Sequence, residues 1–162
     1  MQVELPHALE SDLPVVLNLS RYYIYDMSEF MGWPCPENGV FGGGDDYFAD
    51  WPAGRNTPFI IRVDGELAGF TGVVYRETEQ AHVVQEFFVL RKFRRRGVGR
   101  QVAVKLFDRY PGNWIVEQLV ENLPALRFWQ TVVNEYTGGQ YAETQYASPW
   151  GEMNVLRFRN GA

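Results

Sequence analysis

The sequence predicts an α+β domain built on one mixed, mostly antiparallel sheet of about six to seven strands flanked by helices. Two observations lead there. Apolar residues recur at helical spacing in three stretches and at period two in six others. Polar breaks, most of them with Gly or Pro, separate these stretches in the order helix, three strands, helix, strand, helix, two strands. With 162 residues, 46% hydrophobic and 15% aromatic, the chain suffices for one domain with its own core.

The first helix is predicted over residues 10–31, where Leu13, Val16, Leu17, Tyr23, Ile24, Met27 and Phe30 keep a helical rhythm. Ser11 or Asp12 suits its cap and Pro14 its first turn. Residues 32–57, rich in Gly, Pro and Asp, read as a long loop. PFIIRV and LAGFTGVVY then form a hairpin around Asp64-Gly65. AHVVQEFFVL follows as a third strand, whose alternation places His82, Val84, Glu86, Phe88 and Leu90 on one face. GVGRQVAVKLFDRY carries a helical stripe of Val98, Val102, Leu106 and Phe107. NWIVEQLV is a strand, Asn122 opens a helix over NLPALRFWQTVV, and QYAETQYASP and NVLRFRN are the last strands.

Charge is unevenly spread. The chain carries a formal −5, yet six of its 15 basic residues fall between Arg91 and Arg100. Between Asp26 and Asp50 there are six acids and no base. A nucleic-acid binder needs a broad basic face, which this pattern does not offer. No apolar run approaches the ~20 residues of a membrane span, and MQVELPHALESDLP has no basic region followed by an apolar one. A single cysteine, Cys35, excludes an internal disulfide, and two distant histidines offer no ligand spacing. The expectation is a cytoplasmic protein without a metal.

The basic cluster marks a strand that runs into Gly97-Val98-Gly99 and then into a helix. The first N–H groups of a helix lack partners and lie at the positive end of its dipole. Glycines let a bulky anion approach the backbone, so this junction reads as a phosphate cradle. No Walker pattern is present, and the preceding antiparallel strands disfavour a dinucleotide fold.

Arg94-Arg95-Arg96-Gly97-Val98-Gly99 and Asn122-Leu-Pro-Ala125-Leu-Arg-Phe128-Trp129 together resemble two motifs of the GNAT superfamily of acyl-CoA-dependent N-acetyltransferases. The resemblance covers residues 58–133 and implies acetyl-CoA as cofactor. It implies a pyrophosphate held at Arg94, Arg95, Gly97, Val98, Gly99 and Arg100. It also implies a pantetheine arm along the backbone of Phe88, Val89 and Leu90, with Asn122 near its thioester end. Trp129 stands where many family members have a tyrosine that protonates the leaving thiolate, which leaves Tyr136 or Tyr141 or solvent for that task.

Acetyl transfer needs a neutral amine, and an alkylamine with a pKa of about 10 is mostly protonated at neutral pH. Glu86 is the candidate base and the Val89 N–H the candidate carbonyl-polarising donor. Glu117 is a weaker candidate, suited to an arginine partner. A small cationic amine is expected against Tyr23, Asp26, Trp33 and Asp46, with Tyr22, Tyr47, Phe48 and Trp51 as further aromatics and Glu29, Asp45 and Asp50 as further acids. A protein N-terminus or lysine as acceptor, and an acyl-CoA-binding module without turnover, are the alternatives. The last strands suit pairing in a homodimer.

Overall fold

The computed structural model describes residues 1–42 and 56–161. Its elements are β1 (Val3–Glu4), α1 (Leu13–Met31), β2 (Asn56–Val63), β3 (Glu66–Arg76), β4 (Ala81–Val89) and α2 (Val98–Arg109). They continue with β5 (Gly112–Leu119), α3 (Leu123–Thr137), β6 (Ala142–Ser148) and β7 (Gly151–Asn160). The order matches the sequence expectation, with short β1 added at the edge. Asp12 is the N-cap of α1, but its carboxylate accepts from Leu9 N–H at 2.8 Å rather than from the helix. Pro14 sits in the first turn as expected.

The seven strands form one sheet in the order β1-β2-β3-β4-β5-β7-β6, antiparallel everywhere except between β4 and β5. One face packs Val98, Val102, Leu106 and Phe107 of α2 and Trp129, Val132 and Val133 of α3 against Trp114, Val116, Leu156 and Phe158. The other packs Val16 and Leu19 of α1 against Ile60, Phe70 and Phe88. Each such large apolar side chain, removed from water, contributes roughly 1.5–3 kcal/mol. No described helix is long and apolar enough to cross a membrane.

The parallel pair is incomplete. β4 and β5 are joined only at Ala81↔Asn113, His82↔Trp114 and Val83↔Ile115, although β4 runs on to Val89 and β5 to Leu119. On its other side β4 stays paired with β3 as far as Gly69↔Val89. The register there passes from Val73↔Val84 to Thr71↔Phe87, so Gln85 and Glu86 together oppose Gly72. Such a bulge bends and twists its strand, which turns β4 away from β5 where their pairing ends. It also shifts the alternation. Val84 faces α2 and α3 while Phe88 faces α1, so the single face expected for His82 through Leu90 does not exist.

Gly69 holds the far side of this arrangement. A Cβ at residue 69 would lie 2.0 Å from the Phe88 carbonyl oxygen, so a side chain there must push β3 off β4. Gly69→Ala is expected to lower stability by about 2–3 kcal/mol, measured as the shift of the urea midpoint. An unshifted midpoint would contradict this account of the close approach.

Candidate active site

The end of β4 presents its backbone unequally. Leu90 donates to the Ala68 carbonyl at 2.8 Å and accepts from Phe93 N–H at 2.9 Å. Backbone groups alternate sides along a strand, so Phe88 and Leu90 face β3 whereas Phe87 and Val89 face the gap toward β5. Of the three residues expected to hold pantetheine, only Val89 therefore turns main-chain groups to the gap. Its carbonyl already accepts from Arg94 Nε at 2.6 Å, which leaves its N–H.

Beyond β4 the chain makes a turn, takes positive φ at Arg95 (58°) and Gly97 (78°), and enters α2. The first helical bond runs from Gln101 N–H to the Gly97 carbonyl, so the N–H groups of Val98, Gly99 and Arg100 project free of the helix. The Val98 side chain is buried in the core and only its amide belongs to the cradle. Gly99 packs closely, since a Cβ there would lie 3.1 Å from the Phe128 ring.

The basic cluster divides into two groups. Arg91 bonds Asp26 at 2.7 Å, Arg94 bonds the other oxygen of Asp26, Lys92 holds Glu66, and Arg100 pairs with Glu135 at 2.7 Å. Arg95 and Arg96 have no carboxylate partner among the described residues. Arg94, expected at the phosphate, and Asp26, expected at the acceptor, pair with each other between α1 and the exit of β4, and both line the first cavity. Burial pushes the Asp26 carboxyl upward, but the two guanidiniums outweigh it and hold the group below its ordinary value of 3.8.

Two cavities meet at the gap. The first, about 760 Å³, is lined by Val89, Arg95, Gly97, Gly99, Arg100 and Thr131. The second, about 900 Å³, is lined by Trp33, Glu86, Gln118, Trp129, Tyr146 and Trp150 among others. Tyr23, Met27, Phe87, Asn122 and Ala125 line both. Glu86 is buried, with its backbone carbonyl held by the Thr71 hydroxyl at 2.6 Å. Glu117 is taken by Arg76 in a two-pronged contact at 2.7 and 3.2 Å. Asn122 caps α3 by accepting from Ala125 N–H at 3.1 Å while lining both cavities.

Trp129 is packed among Phe87, Phe107 and Phe128. The Tyr136 hydroxyl is bound by Asp108 and Asn160, and neither Tyr136 nor Tyr141 lines either of these two cavities. Asp46 lies outside the described residues, as do Asp45, Tyr47, Phe48, Asp50 and Trp51. The sequence reading missed Tyr146, Trp150 and Gln118 as cavity residues.

The family model of the acetyltransferase (GNAT) family matches residues 24–132. The chain belongs to this family. As a GNAT acetyltransferase it uses acetyl-CoA as acyl donor. Solved structures share the fold at low identity. A spermidine N-acetyltransferase from Vibrio cholerae in complex with CoA and spermine is 13% identical, with a TM-score of 0.69 over 98% of this chain and 96% of that one. The ribosomal-protein-S18-alanine N-acetyltransferase from Escherichia coli is 14% identical, with a TM-score of 0.67 over 99% and 96%. AAC(6')-Ib in complex with ribostamycin and coenzyme A is 14% identical, with a TM-score of 0.70 over 98% and 94%. No curated protein matches the sequence significantly.

The GNAT site fits CoA on its own geometry. A Cβ at Gly97 would meet nothing within 4 Å, so that approach to the three amides is open on the protein side. The Val89 N–H edge leads from there toward the second cavity.

The Asp26 clamp has a pH signature. A carboxyl depressed by folding contributes stability that is present above its unfolded pKa and lost as the pH falls through its folded one. Asp26→Asn is expected to be less stable than wild type at neutral pH, with the difference narrowing below pH 3.8. Chemical denaturation across pH checks it, and a difference independent of pH would contradict the clamp.

Proposed function

We propose that this protein acetylates a primary amine by direct attack, with the donor in the first cavity and the acceptor in the second. The observation that carries the reading is the gap between β4 and β5, where a single N–H edge joins the amide cradle to a buried carboxylate.

Acetyl-CoA supplies the activated acetyl group. The amides of Val98, Gly99 and Arg100 receive its pyrophosphate at the positive end of α2, with Arg95 adding charge. Phe87 and Val89 offer β4's free edge to the pantetheine amides, a strand-addition contact. The Val89 N–H polarises the thioester carbonyl, and such a fixed donor costs no reorganisation during reaction. Glu86 takes a proton from the acceptor amine, directly or through water. The nitrogen–carbon bond forms, the carbon–sulfur bond breaks, and the thiolate takes a proton. Tyr23 is the donor we assign, because it is the tyrosine that lines both described cavities. This reassigns Tyr23 from the acceptor-binding role expected of it, while Trp33 keeps that role at the mouth of the second cavity.

The acceptor is an amine drawn to an aromatic-lined cavity. Trp33, Tyr146 and Trp150 are all exposed and line it, so they offer ring faces to a cation or an apolar body.

Calorimetric titration with acetyl-CoA tests the donor site. Wild type is expected to bind, and Gly97→Glu to lose at least tenfold in affinity, because it sets a carboxylate at the phosphate position. Equal binding by both would remove the cradle from the account. Among catalytic variants, Glu86→Gln is expected to lower kcat/KM by about 10²–10⁴-fold with acetyl-CoA affinity unchanged. Tyr23→Phe should act on kcat more than on KM. Thiol release during an amine screen gives both values, and wild-type rates in Glu86→Gln would exclude it as base.

A further inference from the structure

The second cavity is lined by Gln118, a buried polar residue that the proposed chemistry does not use. Gln118 and Asn154 stand opposite each other in the β5–β7 register. Both are buried, at 6% and 1% exposure. Their neighbours two residues along, Val116 and Leu156, belong to the core under α2 and α3, so the pair occupies positions where an apolar residue would serve stability better. None of their four side-chain polar atoms has a hydrogen-bond partner. Two buried carboxamides left unmet are costly, and native proteins seldom keep them without a use.

The place of Gln118 in the gap suggests that use. The last paired residues of the parallel strands are Val83 and Ile115. Three positions further along each strand stand Glu86 and Gln118, one on either side of the gap, and both line the second cavity. The same cavity is also lined by Phe87, Leu119, Ala125 and Trp129.

Resting on the reading of this cavity as the acceptor site, we propose that Gln118 recognises a neutral carboxamide or peptide group carried by the acceptor amine. A carboxamide offers one carbonyl acceptor and an NH2 donor. Its full complement is another group that both donates and accepts. A carboxylate would leave the donor-seeking oxygen unmet, and an ammonium would leave the NH2 unmet. The acceptor is thus an amine with an apolar or aromatic body and an amide a few bonds from its nitrogen. An amino-acid amide and the N-terminus of a polypeptide both carry this chemistry.

The test is calorimetric and needs no turnover. The 162-residue protein is titrated with phenylalaninamide and with phenethylamine, which differs by lacking the carboxamide, in the presence and absence of CoA. The ratio of the two affinities is compared between wild type and Gln118→Met, which conserves volume and removes the amide. Gln118→Leu is run in parallel should the first variant fold poorly. The ratio is expected to fall about tenfold in either variant, with CoA affinity retained and thermal stability unchanged or raised. A ratio that survives substitution, or no binding of phenylalaninamide to wild type, overturns the proposal. Failure of CoA to bind wild type would instead strike the acetyltransferase reading. A peptide with N-terminal phenylalanine separates the two sources: binding equal to the amide points to a polypeptide end, exclusion to a small molecule.

Discussion

The proposed chemistry depends on the early end of the β4–β5 ladder. A parallel pair that stops after three register positions leaves β4 with one satisfied edge and one open one. Backbone N–H groups facing a cleft are obligatory donors, and burial without a partner is expensive. The fold accommodates this by widening the gap into two joined cavities, where solvent or a ligand can meet the edge. The bulge at Gln85–Glu86 serves the same end, since it bends β4 outward and resets which side chains face α1. The Gly69–Phe88 approach then fixes β4 from behind, so that the open edge is held by β3 alone.

The arginine cluster is read best as two devices. Arg91 and Arg94 fasten α1 to the exit of β4 through Asp26, and Arg94 also takes up the Val89 carbonyl. This bond leaves Val89 with one group, its N–H, for the cleft. The cradle itself is mainly backbone: three helix-start amides behind a left-handed Gly97, with Arg95 and Arg96 as the cations not held by carboxylates. On the proposed reading, an acidic protein thereby keeps a local anion site without a basic surface.

Much of this was legible in the sequence. Periodicity and turn residues gave the element order, and Gly97-Val98-Gly99 gave the helix start whose first amides lie unpaired, because both rest on local rules. Glu86 was visible as an acid within an apolar strand. What escaped depends on long-range geometry. No local pattern shows that Asp26 is claimed by arginines 65 and 68 residues away. Period-two reasoning cannot foresee a bulge, so it put Val84 and Phe88 on one face. Gln118 could have been found, since it follows Trp114 and Val116 on an inward-facing series where a polar residue is out of place. Leu90 could not, because its bonds to Ala68 and Phe93 appear only once the strands pair.

The central claim is that the open edge of β4 is the docking strand for the acyl donor. Residue-resolved amide hydrogen exchange of β4, with and without acetyl-CoA, tests it most directly. The account predicts that the Phe87 and Val89 amides exchange faster than those of Phe88 and Leu90 in the free protein, and that acetyl-CoA selectively protects Val89. Protection of Val89 that is already complete in the free protein, or no change there when acetyl-CoA binds, would contradict it.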